Sequence, residues 1–215
     1  MSFFNIRSKI KSATRKTSAS QPKPLFLSPP FLASVLVRGS FQPMVQLPAQ
    51  IDRDEWLAAN VFDFFQYISL FSGTIAEFCS QKECPVMSGG PGIEYPWIDA
   101  QKRSQKVSAP QYIDASTTWI QRVLDDPDVF PTKSGQPFPK EHLATVKQCF
   151  RHMFRILAHI YHHHYPHILH LHAEAHLNTL TAHFMCFSKE FDLLDKKETE
   201  ALRELIGEFE SQGLC

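Results

Sequence analysis

The chain has 215 residues, 43% of them apolar, with 22 basic and 22 acidic side chains. That length suits one domain, or one domain with a tail. A net charge of zero gives no reason to expect a nucleic acid or an acidic substrate. No apolar run reaches the roughly 18 residues needed to span a bilayer, so stable membrane insertion is not expected. The N-terminus lacks the basic, apolar and small-residue regions of a signal peptide, which makes a cytosolic or nuclear protein the default. Scarce glycine, long apolar runs and eighteen phenylalanines favour an all-α fold.

Residues 1–30 are rich in Ser, Lys and Pro and read as a flexible basic tail. Every charged residue before Asp52 is basic: Arg7, Lys9, Lys11, Arg15, Lys16, Lys23 and Arg38. Residues 29–48, "PPFLASVLVRGSFQPMVQLP", read as an extended or mixed segment lying on the core. The first strong helix begins near Asp54. "DRDEW" puts acids in its first turn, where they complement the helix dipole. Leu57, Val61, Phe64, Ile68, Phe71, Ile75 and Phe78 follow at spacings of four and three, a core stripe in which Gly73 permits a bend.

Residues 84–110 form a long connection, and connections of this length are usually functional or pinned. Its "SGGPG" lacks the Lys-Ser/Thr that follows a phosphate-binding loop. A helix is expected over about 111–124. A turn-rich loop follows, with room for a small hairpin around Ser134-Gly135. Long helices are expected over about 140–163 and 167–187, with a break at Pro166. An amphipathic C-terminal helix completes an antiparallel bundle.

All eleven histidines lie between His142 and His183, seven of them in "AHIYHHHYPHILHLH" at 158–172. "FCSQKEC" offers two thiols, Cys79 and Cys84, spaced to reach one ion across a turn where the first helix gives way to the long loop. Two bundle histidines would complete a closed zinc set. Spacing leaves open whether His159 pairs with His164 or with His163, its regular i,i+4 neighbour. Most of the other histidines read as surface or capping groups, and Cys149 and Cys186 as buried, inert thiols without disulfides in a reducing compartment. Catalysis finds little support. "HAEAH" at 172–176 has its glutamate at the wrong offset for a zinc protease, there is no nucleophile elbow, and two Cys with two His fill a tetrahedron.

"LPAQIDRDEWLAANVFDFF", "EFCSQKECPVMSGGP", "SAPQYID", "VFPTKSGQPFP", "FRILAHIYHHHY", "EAHLNTLTAHF" and "KEFDLLDKKE" occur in this order. Together they resemble the MOB (Mob/phocein) family of kinase activators over about 33–210. The resemblance implies an all-α Mob/phocein-type helical bundle over 31–213, with long loops, a structural Zn2+ and no catalytic activity. It implies a partner among NDR- and LATS-type AGC kinases. "YIDASTTWI", "VFPTKSG" and "LLDKKETEAL" look most like the second subgroup, which partners NDR-type kinases in cell polarity and morphogenesis, in the cytoplasm and also at the cell cortex and nucleus. Matched by motif, the zinc ligands fall on Cys79, Cys84, His159 and His164.

The family's kinase-binding surface falls on Asp52, Asp54, Glu55, Trp56 and Asp63. Asp54, Glu55 and Asp63 are expected to form an acidic strip roughly 13 Å long for a basic partner helix. Ile51 stands where the first subgroup carries an acid. That subgroup's phosphopeptide pocket falls on Arg151, His152 and Arg155, so the alternative function is a phosphopeptide-binding scaffold linking an upstream kinase to its target. With a histidine in place of a permanent cation, phosphate binding there is expected to be weaker or pH-sensitive. The first subgroup's phosphorylatable threonine has no clear counterpart in "FLASVLVRGS".

Overall fold

Asp52 starts the longest helix. Its Oδ1 accepts from the backbone N–H groups of Asp54 (2.8 Å) and Glu55 (3.2 Å), two donors that the first helical turn leaves unpaired. The structure, a computed structural model, describes residues 23–133 and 135–215. In chain order its main elements are α1 (Gln42–Val45), α2 (Arg53–Thr74), a hairpin of β1 (Trp97–Ile98) and β2 (Ser104–Gln105), α3 (Ala109–Leu124), α4 (His142–His159), α5 (Tyr165–His170), α6 (Glu174–Glu190) and α7 (Arg203–Ser211). A π-helical turn, Ile160–His164, joins α4 to α5, and a 3-10 turn, Glu198–Leu202, leads into α7. Among the described residues no helix is long and apolar enough to cross a membrane.

The expected stripe on α2 is the core face. Leu57, Val61, Phe64 and Ile68 are buried, and α2 lies along α4, whose Val146, Phe150, Met153, Phe154 and Leu157 are buried too. Phenylalanines from three helices meet at the centre. Phe64 is edge-on to Phe150 (5.8 Å) and Phe184 (5.3 Å), and Phe150 stacks on Phe184 at 4.8 Å. Each such pair adds about 0.5–1.5 kcal/mol beyond simple burial. α2 ends one residue after Gly73. Ile75 continues into the core, whereas Phe78 turns outward and stacks on His167 at 4.0 Å.

Three expectations need correction. The tail does not run to residue 30, because Phe26 and Leu27 are buried, and Phe26 sits edge-on to Tyr161 (5.2 Å), His162 (5.1 Å) and Tyr165 (5.8 Å). Residues 1–22 of that expected tail lie outside the described residues, as does Ser134 of the expected hairpin. The helix expected over 167–187 is two helices. His172 takes φ +53°, while Ala173 N–H donates to Ile168 O and His172 N–H to Leu169 O, a left-handed helix stop. Finally, Cys186 is not a free thiol but is disulfide-bonded to Cys215. The bond holds the segment whose Leu214 carbonyl accepts from Phe41 N–H at 2.7 Å. Cys149 is free and buried, and burial pushes its thiol up to about 12.

Candidate metal centre and docking face

Cys79 and Cys84 bracket the turn after α2. Cys79 N–H donates to Ile75 O (3.0 Å), Cys84 N–H to Ser80 O (2.8 Å), and the Cys84 carbonyl accepts from Ala109 N–H at the start of α3. Both sulfurs face the end of α4. Cys79 Sγ lies 3.5 Å from His159 Nε2, and Cys84 Sγ lies 3.5 Å from His164 Nε2. All four donor atoms lie within 4.8 Å of one another, and all four residues are buried.

The histidine spacing left open by sequence is decided by the π-turn. Residues five apart on an α-helix point about 140° away from each other. The wider π-turn brings His164 back beside His159. Pro166 explains the widening: it has no N–H to offer the His162 carbonyl, and its ring collides with that oxygen in a regular helix. His163, the i,i+4 rival, is exposed and meets Ser88 Oγ through Nε2 at 2.7 Å. His159 Nδ1 donates to Ser88 O at 3.0 Å, which fixes the tautomer and leaves Nε2 free as a ligand.

Burial sets the protonation of the four donors. Burial pushes the Cys79 thiol up to about 12, helped by the neighbouring Cys84, and raises Cys84 as well. Burial pushes His159 down to about 3 and His164 down to about 4. The imidazoles are therefore neutral and ready to ligate, while the sulfurs ionise only if a positive ion joins them. Two thiolates and two imidazoles suit a four-coordinate divalent metal ion.

The "SGGPG" stretch serves this centre. Gly90 has φ +103°, and a side chain there would collide with the His162 ring, so the loop can ride over the π-turn only with glycine at that position. His162 Nε2 donates in turn to Ala201 O at 2.8 Å. The long connection is thus pinned at both ends, by Cys84 and by the Met87 N–H to Val107 O bond across its base.

The acidic residues do not form the expected strip. Nine residues make two and a half turns, so Asp54 and Asp63 lie on opposite sides of α2. Asp54 is half-buried and its charge acts on His142 at the start of α4, whereas the charge of Asp63 acts on His183 of α6. Asp52, Glu55 and Asp63 are exposed. Trp56 is half-buried, donates through Nε1 to Val45 O at 3.3 Å, and packs near Phe187.

Asp63 edges a feature that sequence reasoning missed. This is an apolar groove of about 450 Å³ between α1, α2 and α6, lined by Leu36, Met44, Tyr67, Phe71, Leu180 and His183. The His183 ring stacks on Phe41 at 5.2 Å, and its Nε2 is buried without a partner among the described residues.

Arg151, His152 and Arg155 do come together, in a second cavity of about 440 Å³ beneath Trp97 and Trp119. His152 is buried, and its Nδ1 meets the Tyr112 hydroxyl at 2.9 Å. Burial, then the charges of Arg155 and Arg151, push it down to about 3. His152 is therefore neutral at physiological pH, which removes the expected pH sensitivity. Arg155 is bound to Glu198 and to the Tyr112 hydroxyl.

A helical bundle that brings a cysteine turn to a histidine-rich helix end, with a grooved helix beside it, defines a small helical module whose buried Cys2His2 cluster could hold a metal ion. Residues 33–202 match the Mob1/phocein family, and the chain belongs to it. It is 45% identical over 211 residues to the maintenance of ploidy protein mob2 of Schizosaccharomyces pombe, covering 98% of this chain and 86% of that protein. It is 47% identical over 189 residues to the CBK1 kinase activator protein MOB2 of Saccharomyces cerevisiae, covering 88% of this chain and 66% of that protein. It is 49% identical over 178 residues to the MOB kinase activator-like 1 homolog A of Dictyostelium discoideum, covering 82% and 84%. The family read from the motifs is thus the family found.

Proposed function

We propose that the chain is a non-catalytic kinase coactivator. It binds the N-terminal regulatory segment of an NDR/LATS-type AGC kinase and holds the kinase in its active arrangement, in polarity and morphogenesis signalling. The observation that carries this reading is the exposed surface of α2, where Asp63 edges the apolar groove and Glu55 adds a second exposed acid on the same helix. A basic amphipathic helix suits both parts. Its apolar side fills the groove and its cations meet the acids, which set association rate and specificity more than raw affinity. The printed names of the relatives, kinase activators among them, support the same reading. Cytoplasm, cell cortex and nucleus are the locations it implies.

The ion is proposed to be Zn2+ in a structural role. Zinc bonds of about 2.3 Å to sulfur and 2.0–2.1 Å to nitrogen put S and N about 3.6 Å apart at tetrahedral angles. Both Cys–His pairs stand at 3.5 Å. When bound, zinc supplies folding free energy and charge balance for the thiolates; four protein ligands leave no position for catalysis.

Titration of a basic kinase N-terminal peptide tests the coactivator reading. Binding to the wild-type chain is expected to weaken as salt rises. The Glu55→Lys, Asp63→Lys double variant is expected to lose binding, with helix content and metal content unchanged. Equal affinity for the two proteins would put the partner on another face.

A second reading, a phosphopeptide-binding scaffold linking an upstream kinase to its target, is favoured by one observation. Arg151 and Arg155 converge on a cavity walled by Trp97 and Trp119.

A further inference from the structure

We propose that Glu198 is an internal stand-in for the anion at the Arg151–Arg155 pair, so that a phosphate engages Arg155 only by displacing the Glu198 carboxylate. This rests on the phosphopeptide reading just given and specifies how that site is gated.

Glu198 occupies both arginines at once. Its Oε1 accepts from Arg155 Nε at 2.6 Å and its Oε2 from Arg155 Nη2 at 3.2 Å, the two-pronged geometry with which arginine also grips phosphate. The same Oε2 stands 3.3 Å from Arg151 Nε. Arg155 Nη1 is committed to the Tyr112 hydroxyl at 3.0 Å, and the Arg155 guanidinium lies over the Tyr95 ring. Arg155 is thus committed on all three nitrogens while Glu198 is in place, whereas Arg151 gives up only its Nε.

The local charge points the same way. Arg151 and Arg155 contribute two positive charges and Glu198 one negative. Asp99, on the opposite cavity wall, contributes a second negative, although it is held by Arg103 and two backbone N–H groups. Arg103, paired with Asp99 at 2.8 Å, offsets that charge. Glu198 therefore cancels one of the two arginine charges that an incoming anion would meet, and removing its charge leaves both uncovered.

The carrier of Glu198 allows the exchange. It sits at the start of the 3-10 turn Glu198–Leu202, held by Asp195 Oδ1 on its own N–H (2.8 Å) and, at the far end, by His162 on Ala201 O (2.8 Å). Those anchors keep the backbone turn in place when the carboxylate swings to solvent, so displacement requires no unfolding of α7.

The test uses the metal-loaded chain and two probes at constant ionic strength: inorganic phosphate, and a phosphothreonine peptide with its unphosphorylated twin. The readout is the set of indole N–H resonances. The chain has three tryptophans; Trp97 and Trp119 line the cavity and Trp56 on α2 is the internal reference. Glu198→Gln is expected to bind phosphate or the phosphopeptide about tenfold more tightly than wild type, the scale of one charge-assisted hydrogen bond that no longer has to be broken. Arg151→Gln added to it should abolish the gain. Equal affinity in wild type and Glu198→Gln overturns the gating and leaves the phosphopeptide reading standing. No shift at Trp97 or Trp119 with either probe in either protein overturns that reading and the gating with it. Thermal unfolding reports whether Glu198→Gln folds. If it does not, Glu198→Asp, which keeps the charge but shortens its reach, is read by the same criteria.

Discussion

His159 and His164 stand five residues apart on a continuous helical path, yet both bring Nε2 to within 3.5 Å of a cysteine sulfur. The π-turn between them makes this possible, and Pro166 is the residue that forbids the regular alternative. Pro166→Ala restores the missing N–H and lets the turn rewind as α-helix. The expected result is a folded protein whose metal affinity falls at least about tenfold, the range seen when groups that orient ligands are lost. Competition with a chromogenic chelator measures it, and unchanged affinity would assign the turn to surrounding packing instead.

Loss of one ligand should be costlier than loss of its geometry. Cys84→Ala is expected to abolish stoichiometric metal in elemental analysis. It should also lower stability by roughly 3–5 kcal/mol, a fraction of the about 10–16 kcal/mol that zinc supplies to small metal-dependent folds. Wild-type protein purified without any stoichiometric metal would sink the assignment.

His152 gives stability a defined pH dependence. Its folded value is pushed from 6.5 down to about 3. Between those values the unfolded chain binds a proton that the folded chain does not, so stability rises with pH across this window and is complete above about 6.5. The contribution lost on acidification is about 1.4 kcal/mol per pH unit. Denaturant unfolding of His152→Phe between pH 7 and pH 5 should show a shallower acid decline than wild type. Metal release also weakens both proteins in acid, so the difference between them isolates His152. At pH 7 the variant should be about 1 kcal/mol less stable, because the Tyr112 hydroxyl loses a partner.

Of five cysteines, three are free. Thiol titration in denaturant with chelator and no reductant should therefore count three per chain, rising to five after reduction. Cys215→Ser opens the cross-link between positions 29 residues apart. It should cost about 3–4 kcal/mol on the chain-entropy account. Five titratable thiols without reductant would mean that Cys186 and Cys215 are not paired in solution.

What was legible in the sequence was whatever depends on local pattern. The 3.6-residue stripe gave α2 its core face, and the two thiols at a helix end located half of the metal centre. Periodicity could not choose between His163 and His164, because the π-turn lies outside the α-helical rule that periodicity assumes; motif resemblance pointed to His164, and the π-turn is what brings that residue beside His159. The acidic strip failed on the helix's own arithmetic, since two and a half turns separate Asp54 from Asp63. The Cys186–Cys215 bond, the seat of Phe26 beside Tyr161 and the apolar groove all join segments far apart in the chain, and no short window of residues contains them.

Each Cys–His pair of the metal centre joins positions 80 residues apart. For the folding chain, these are late contacts: the loop must close against its own entropy before any local structure rewards the closure. A metal ion captured first by the Cys79–Cys84 turn changes the order of events, because the histidine-rich segment then has a strong anchor to find before the phenylalanine core is assembled. A chain refolded with the ion present is therefore expected to reach its native state faster than one refolded with a chelator.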